Sequence, residues 1–204
     1  MKPKDELLLK KAVSEIKKIP RVVGIVQTGS SVYSEKYNDV DVLVFFDCIL
    51  PPPELKKIKE KYKKHKFWIE GIINYVNPVR RVFIKVFNNS RAKKVLFGKN
   101  PYENLNFELS KSDVLAYILN QYWVRDIYGV DYGNVLAQSL NALLAYKNKF
   151  PKSKYETLLL FKTEYPELIK YLPKNAEGII KNTTKTDFAK LYLFFEKTVE
   201  WLAK

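Results

Sequence analysis

The sequence has one cysteine, Cys48, and one histidine, His65, in 204 residues. A single thiol cannot close an internal disulfide. A single imidazole excludes a metal centre built on histidines and leaves no Ser-His or Cys-His catalytic pair. His65 reads as a residue at the C-terminal end of a helix. No apolar run reaches the length of a membrane span, so none is expected. The start, Met1-Lys2-Pro3-Lys4-Asp5-Glu6, lacks the apolar core and cleavage site of a signal peptide. The expectation is a cytoplasmic protein with no membrane contact. Acidic residues are also scarce: 22 Asp plus Glu stand against 36 Lys plus Arg, a net charge of +14. Such an excess attracts polyanions. A lysine-rich chain poor in Cys, Met and His is equally a thermophile habit, so charge alone assigns no ligand.

What is present argues for a folded protein. Hydrophobic residues make up 47% and aromatics 14%, too many for a disordered chain. The length allows one domain or two small ones with a real core. The informative stretch is Gly24-Ile25-Val26-Gln27-Thr28-Gly29-Ser30, followed by Asn38-Asp39-Val40-Asp41-Val42-Leu43-Val44-Phe45-Phe46. It reads as strand, tight turn, short helix, strand. Side chains alternate along a strand. Asp39, Asp41, Leu43 and Phe45 therefore share one face, and Val40, Val42, Val44 and Phe46 share the other. Both faces turn apolar, which predicts a central strand covered on both sides. Two carboxylates about 7 Å apart by backbone rise repel each other in a covered sheet. A divalent cation resolves the conflict, because Mg²⁺ takes one or two carboxylates plus phosphate oxygens. Gly29 lets backbone approach a phosphate, and Ser30 with the following amides is an anion cradle.

This stretch resembles the nucleotidyltransferase superfamily that includes DNA polymerase beta. The shared signature is apolar-Gly-Ser, a gap, then Asp-apolar-Asp-apolar, filled here by Gly29, Ser30, Asp39, Val40, Asp41 and Val42. The gap, Ser31 to Asn38, is short for the family and lacks its arginine-glycine content. The resemblance implies an enzyme that moves a nucleoside monophosphate from an NTP to an acceptor, with Mg²⁺ or Mn²⁺ held by Asp39 and Asp41. A third carboxylate is implied on a later strand.

The remaining elements of the first half follow from periodicity. Asp5 to Ile19 is predicted as a helix stopped by Pro20, and Arg21 to Thr28 as the first strand. Glu54 to His65 is a lysine-rich helix with a narrow apolar stripe, read as a solvated face with a polyanion surface as the alternative. Lys66 to Val76 is a strand carrying Glu70 amid apolar neighbours. Glu70 is the candidate third carboxylate, and Gly71 beside it would leave room for substrate. Asp47 is six residues from Asp41, about 20 Å along a strand, too far to share a metal; Cys48 beside it reads as packing. Val82, Ile84 and Val86 alternate, which predicts a strand over Arg81 to Phe87. Ser90 would then cap a short helix to Phe97, ended by Gly98.

From Ser110 helical periodicity dominates. Helices are expected over Asp113–Tyr128, Tyr132–Lys149 and Lys154–Tyr165, with a capping box at Ser153 and Glu156. Pro166 starts a short one. A last helix over Asp187–Lys204 is capped by Thr184 or Thr186. The fold class expected is α+β: a small mixed-sheet nucleotidyltransferase domain over 1–109, with about four or five strands, then a helical bundle over 110–204. This order is similar to the aminoglycoside nucleotidyltransferases. The phrases Leu140–Tyr146, Ser153–Glu156 and Tyr165-Pro166-Glu167 match their helical domain. That likeness implies Lys154 as a cation beside the nucleotide triphosphate. Site residues are thus Asp39, Asp41 and Glu70 for catalysis and Gly29, Ser30 and Lys154 for nucleotide. The acceptor, whether small molecule, protein or RNA, is left open, as are the oligomeric state and the base among Asp113, Asp126 and Asp131. The competing reading is an inactive nucleotidyltransferase fold that binds nucleotide or a partner, such as a toxin–antitoxin component.

Overall fold

A computed structural model describes the chain apart from residues 49, 50, 74–76, 91, 129, 130, 182, 185 and 186, and apart from the side chains of 73, 90 and 123–128. Two compact units emerge, Met1–Tyr75 with Arg91–Asn104, and Val76–Ser90 with Leu105–Lys204.

The first unit runs α1 (Pro3–Ile16), β1 (Val22–Thr28), a 3-10 turn (Ser30–Val32), β2 (Val40–Phe46), α2 (Glu54–Lys63), β3 (Phe67–Ile73) and β4 (Lys93–Gly98). Its sheet has the order β3-β2-β1-β4. β1 pairs antiparallel with both β2 and β4, and β2 pairs parallel with β3. Parallel pairing demands a crossover, and α2 supplies it. The mixed sheet followed by helices is the α+β architecture expected.

Alternation assigns each strand residue to a face. Ile25, Val40, Val42, Val44, Phe46, Phe67 and Ile69 point to one side and pack with Leu9, Ala12 and Ile16 of α1 and Leu55 and Tyr62 of α2. On the other side lie Val26, Leu43, Phe45 and Ile72, all buried. Phe45 meets Tyr102 edge-on at 5.2 Å between ring centroids. β2 is therefore central and covered on both sides. Cys48 packs against the first cluster, and exposed Asp47 faces Arg21 at 3.7 Å.

Residues 78–98 differ from expectation. The segment read as a strand is α3, Pro78–Ser90, and the segment read as a helix is β4. The helical stripe Val79, Val82, Phe83, Val86 and Phe87 has spacings of three and four. Val82 and Val86 of the alternating set belong to it, and Ile84 lies outside it. The Asn77 side chain accepts from the Arg80 amide at 2.8 Å, and Pro78 fits the first helical position. The expected strand to Val76 ends, among the described residues, at Ile73.

The second unit adds α4 (Lys111–Tyr128), α5 (Tyr132–Tyr146), α6 (Lys154–Glu164), α7 (Pro166–Ile169), α8 (Ala176–Lys181) and α9 (Phe188–Ala203) to α3. Its core joins Val82 of α3 with Leu140, Leu143, Phe161, Ile179 and Phe194. Caps punctuate these helices. Asp113 and Ser110 exchange hydrogen bonds at the start of α4, and Arg81 lies 3.6 Å from the Asp113 carboxylate. Asp131 accepts from Gly133 at α5, and Ser153 accepts from Glu156 at α6. The Glu156 carboxylate accepts from Lys152 rather than from the cap residue itself. Asp187, not Thr184, caps α9 by accepting from the Lys190 amide at 3.2 Å. Thr186 lies outside the described residues.

Candidate active site

The polar end of the sheet can be built from the register. Thr28 is the partner of Asp41 across β1 and β2, and of Lys93 across β1 and β4. Asp41 is the partner of Trp68 across β2 and β3. Residues directly opposite share a face. Trp68, Asp41, Thr28 and Lys93 therefore form one row across all four strands. Glu70, Leu43, Val26 and Val95 form the next. Hydrophobic burial holds the row in place, because Val26 and Leu43 directly behind it are inaccessible.

The chain bends sharply at the end of β1. Gly29 has φ 82°, and a Cβ there would lie 2.8 Å from Asp41 Oδ2. Only glycine lets the bend approach that carboxylate so closely. The Gly29 amide donates to the Ala92 carbonyl at 3.2 Å, which fixes the turn to the start of β4. Ser30 then opens the 3-10 turn. Behind the bend, buried Gln27 donates to Ser31 Oγ at 3.1 Å and stiffens it.

Asp39 precedes β2 by one residue and is half-buried. It borders a cavity of 120 Å³ shared with Asp5, Tyr37, His65 and Lys66. Glu70 is exposed, on the face that carries Asp41 and one step further along β3. Gly71 serves the opposite face: a Cβ there would lie 2.7 Å from Leu55, so its bareness seats α2 and leaves no room for substrate. Of the three bases considered in the helical half, Asp113 and Asp131 are committed to helix caps. The Asp126 side chain lies outside the described residues. Lys154, in the second unit, donates from its ammonium to the Ile180 carbonyl at 3.0 Å. α2 is lysine-covered and solvated, as its composition suggests.

Three members of the row were not found from sequence. Thr28 is fully buried, and its Oγ1 has no hydrogen-bond partner among the described residues. Trp68 is 59% exposed. Its indole makes no hydrogen bond, ring contact or cation contact among the described residues. Lys93 is exposed, yet desolvation lowers its pKa from 10.5, with Glu103 pulling it back. The hairpin signal could have paired Thr28 with Asp41. Lys93 was hidden because its segment was read as helix.

The donors suit a hard divalent cation. Carboxylate oxygens with no imidazole or thiolate are the Mg²⁺ or Mn²⁺ pattern. Among the described residues no three His, Cys, Asp or Glu groups cluster closely enough to form a complete cage. Mg²⁺ needs none, since phosphate oxygens and water complete its shell.

No protein-family model matches the chain, and no curated protein matches it. Among solved structures, the fold is that of the spectinomycin adenyltransferase AAD(9) from Enterococcus faecialis, determined with ATP and spectinomycin. The likeness covers 96% of this chain and 99% of that one at 16% identity, with a TM-score of 0.55. No helix among the described residues is long and apolar enough to cross a membrane.

Proposed function

We propose that the chain is a Mg²⁺-dependent nucleotidyltransferase that moves a nucleoside monophosphate from ATP or another NTP to a hydroxyl of a small molecule. The observation that carries this reading is the Asp41 carboxylate set against the Gly29 bend. It sets a carboxylate that would ligate the metal beside a bend that would take the phosphates, at the polar end of the sheet. The AAD(9) fold, held by an enzyme solved with ATP and a small acceptor, supports both the nucleotide and the acceptor class.

Asp39 and Asp41 would hold the metal. Bound there, the metal would supply charge neutralisation for the triphosphate and act as a Lewis acid. Ser30 would receive the phosphates through its backbone amide and hydroxyl, with the bare Gly29 beside it letting the chain come close to them. The displacement is in line. The acceptor oxygen bonds to the α-phosphorus, the bond to the bridging oxygen breaks, and pyrophosphate leaves with that electron pair. The cradle lies on the β1 side of Asp41, so the attacking hydroxyl belongs on the β3 side. Glu70 stands there as the base that takes the hydroxyl proton. Trp68 offers a bare indole face to the acceptor ring.

The test is incubation with labelled ATP, Mg²⁺ and spectinomycin, or a small-molecule extract, followed by identification of labelled product and pyrophosphate. Nucleotide binding with no transfer to any acceptor would favour the inactive, partner-binding reading. Absence of nucleotide binding would remove both.

A further inference from the structure

From the row across the sheet we infer that Lys93 is the cation that receives the β- and γ-phosphates of the NTP and the leaving pyrophosphate. This rests on the nucleotidyltransferase reading above. Three placements carry it. Lys93 stands directly across β1 from Thr28, the last strand residue before the Gly29 bend. Its chain neighbour Ala92 accepts the Gly29 amide, so the base of the lysine side chain is fixed to the cradle. Across the row, Trp68 and Asp41 lie on one side of Thr28 and Lys93 on the other. An in-line displacement needs its attacking and leaving oxygens on opposite sides of the phosphorus. With the acceptor on the β3 side, pyrophosphate departs toward β1 and β4, where Lys93 stands.

Lysine suits this task as a compact point charge with three donors. Its long stem allows the ammonium to follow the phosphates as they leave. A cation at this place opposes the charge that develops on the bridging oxygen as the bond breaks. The neighbouring Lys94 supplies an internal control. It points to the other face of the sheet, where it borders a cavity of 330 Å³ with Leu9, Val13 and Gln27. The two lysines carry equal charge on one edge strand and differ in the face they serve.

The experiment is titration calorimetry of the full chain with Mg²⁺-pyrophosphate, Mg²⁺-ATP and AMP. Lys93→Ala should weaken pyrophosphate and ATP binding about ten- to a hundredfold, the scale of a lost charge-assisted hydrogen bond, and leave AMP binding unchanged. Lys93→Arg should restore part of it. Lys94→Ala should match the wild type for all three ligands. Thermal melts of the variants separate this from misfolding, because an exposed edge lysine should leave the melting temperature unchanged. Equal weakening by Lys93→Ala and Lys94→Ala would reduce the effect to net charge and overturn the assignment. So would an equal loss for AMP and ATP. If the wild type binds Mg²⁺-ATP and Lys93→Ala binds it as tightly, Lys93 falls and the nucleotidyltransferase reading stands. If the wild type binds neither ATP nor pyrophosphate, that reading falls and takes Lys93 with it.

Discussion

The two faces of the sheet are made by alternate residues of the same strands, yet they do different work. On one face Ile25, Val40, Val42, Val44 and Phe46 close against α1 and α2. On the other, the apolar residues Val26, Leu43 and Phe45 give way toward one end to the row of Trp68, Asp41, Thr28 and Lys93. The continuous apolar face fixes the positions of the strands. The interrupted face inherits that rigidity and presents polar groups on it. Stability and chemistry should therefore respond to different substitutions along a single strand.

The sharpest way to break that comparison is Asp41→Asn. The amide keeps the shape and removes the charge. Transfer should fall by about a thousandfold or more, the several kcal/mol of a lost metal clamp, while the melting temperature holds. Retained Mg²⁺-dependent activity would remove Asp41 from the metal site.

The converse change is Phe46→Ala, five residues along the same strand on the apolar face. Phe46 is fully buried. Its loss should cost about 3–5 kcal/mol of stability, read as the denaturant midpoint at unchanged slope. Surviving folded enzyme should keep its kcat. A large fall in kcat with little loss of stability would mean that the faces are not separable.

Glu70→Gln comes next. It should leave ATP binding intact and slow transfer by roughly two orders of magnitude, the scale of a lost general base. An unaltered transfer rate would make Glu70 an exposed edge residue, and the base would then be sought elsewhere.

The difference between the faces also decides what could be read from sequence. β1, the bend and β2 were legible because several rules agreed there: an apolar run, Gly29 at a positive φ, and carboxylates ahead of a covered strand. Residues 78–98 were not, because one rule was taken without its rival. Val82, Ile84 and Val86 satisfy a period of two, while Val79, Val82, Phe83, Val86 and Phe87 satisfy the helical period over a longer span, with Asn77 and Pro78 marking the start. The following Lys93–Gly98 carries Val95 and Phe97, residue types favoured in strands. Misreading it removed β4 from the sheet, and with β4 went Lys93 and the complete row. Glu70 could be nominated from its strand, but its relation to Asp41 depends on a parallel register that spacing does not encode.

The smallest expected effect lies on the covered side and concerns pH. Glu15 of α1 meets α2 through Lys61, whose ammonium donates to Oε1 at 2.6 Å, and through the Tyr62 hydroxyl at 3.0 Å. The lysine hydrogen bond is the main cause that holds the Glu15 carboxyl below its ordinary 4.5, against the opposing effect of burial. A depressed pKa means that the folded state binds the proton less readily than the unfolded chain. The contribution is therefore present above the ordinary carboxylate value and lost as pH falls through the folded value. The Lys61 and Glu15 side chains are 56% and 35% exposed, so solvent screens the pair to roughly a few tenths of a kcal/mol. Tyr62 runs the other way. Burial, then its bond to Glu15, pushes it up to about 12 from 10. Its contribution holds below pH 10 and is lost as pH rises toward 12. Melting temperatures of the wild type and Glu15→Gln should thus differ slightly near neutrality and converge under acid. A gap that stayed constant into acid would show that Glu15 acts through packing rather than charge. A gap comparable to that of Phe46→Ala would mean that the α1–α2 contact, and not the apolar face beneath it, holds the sheet in place.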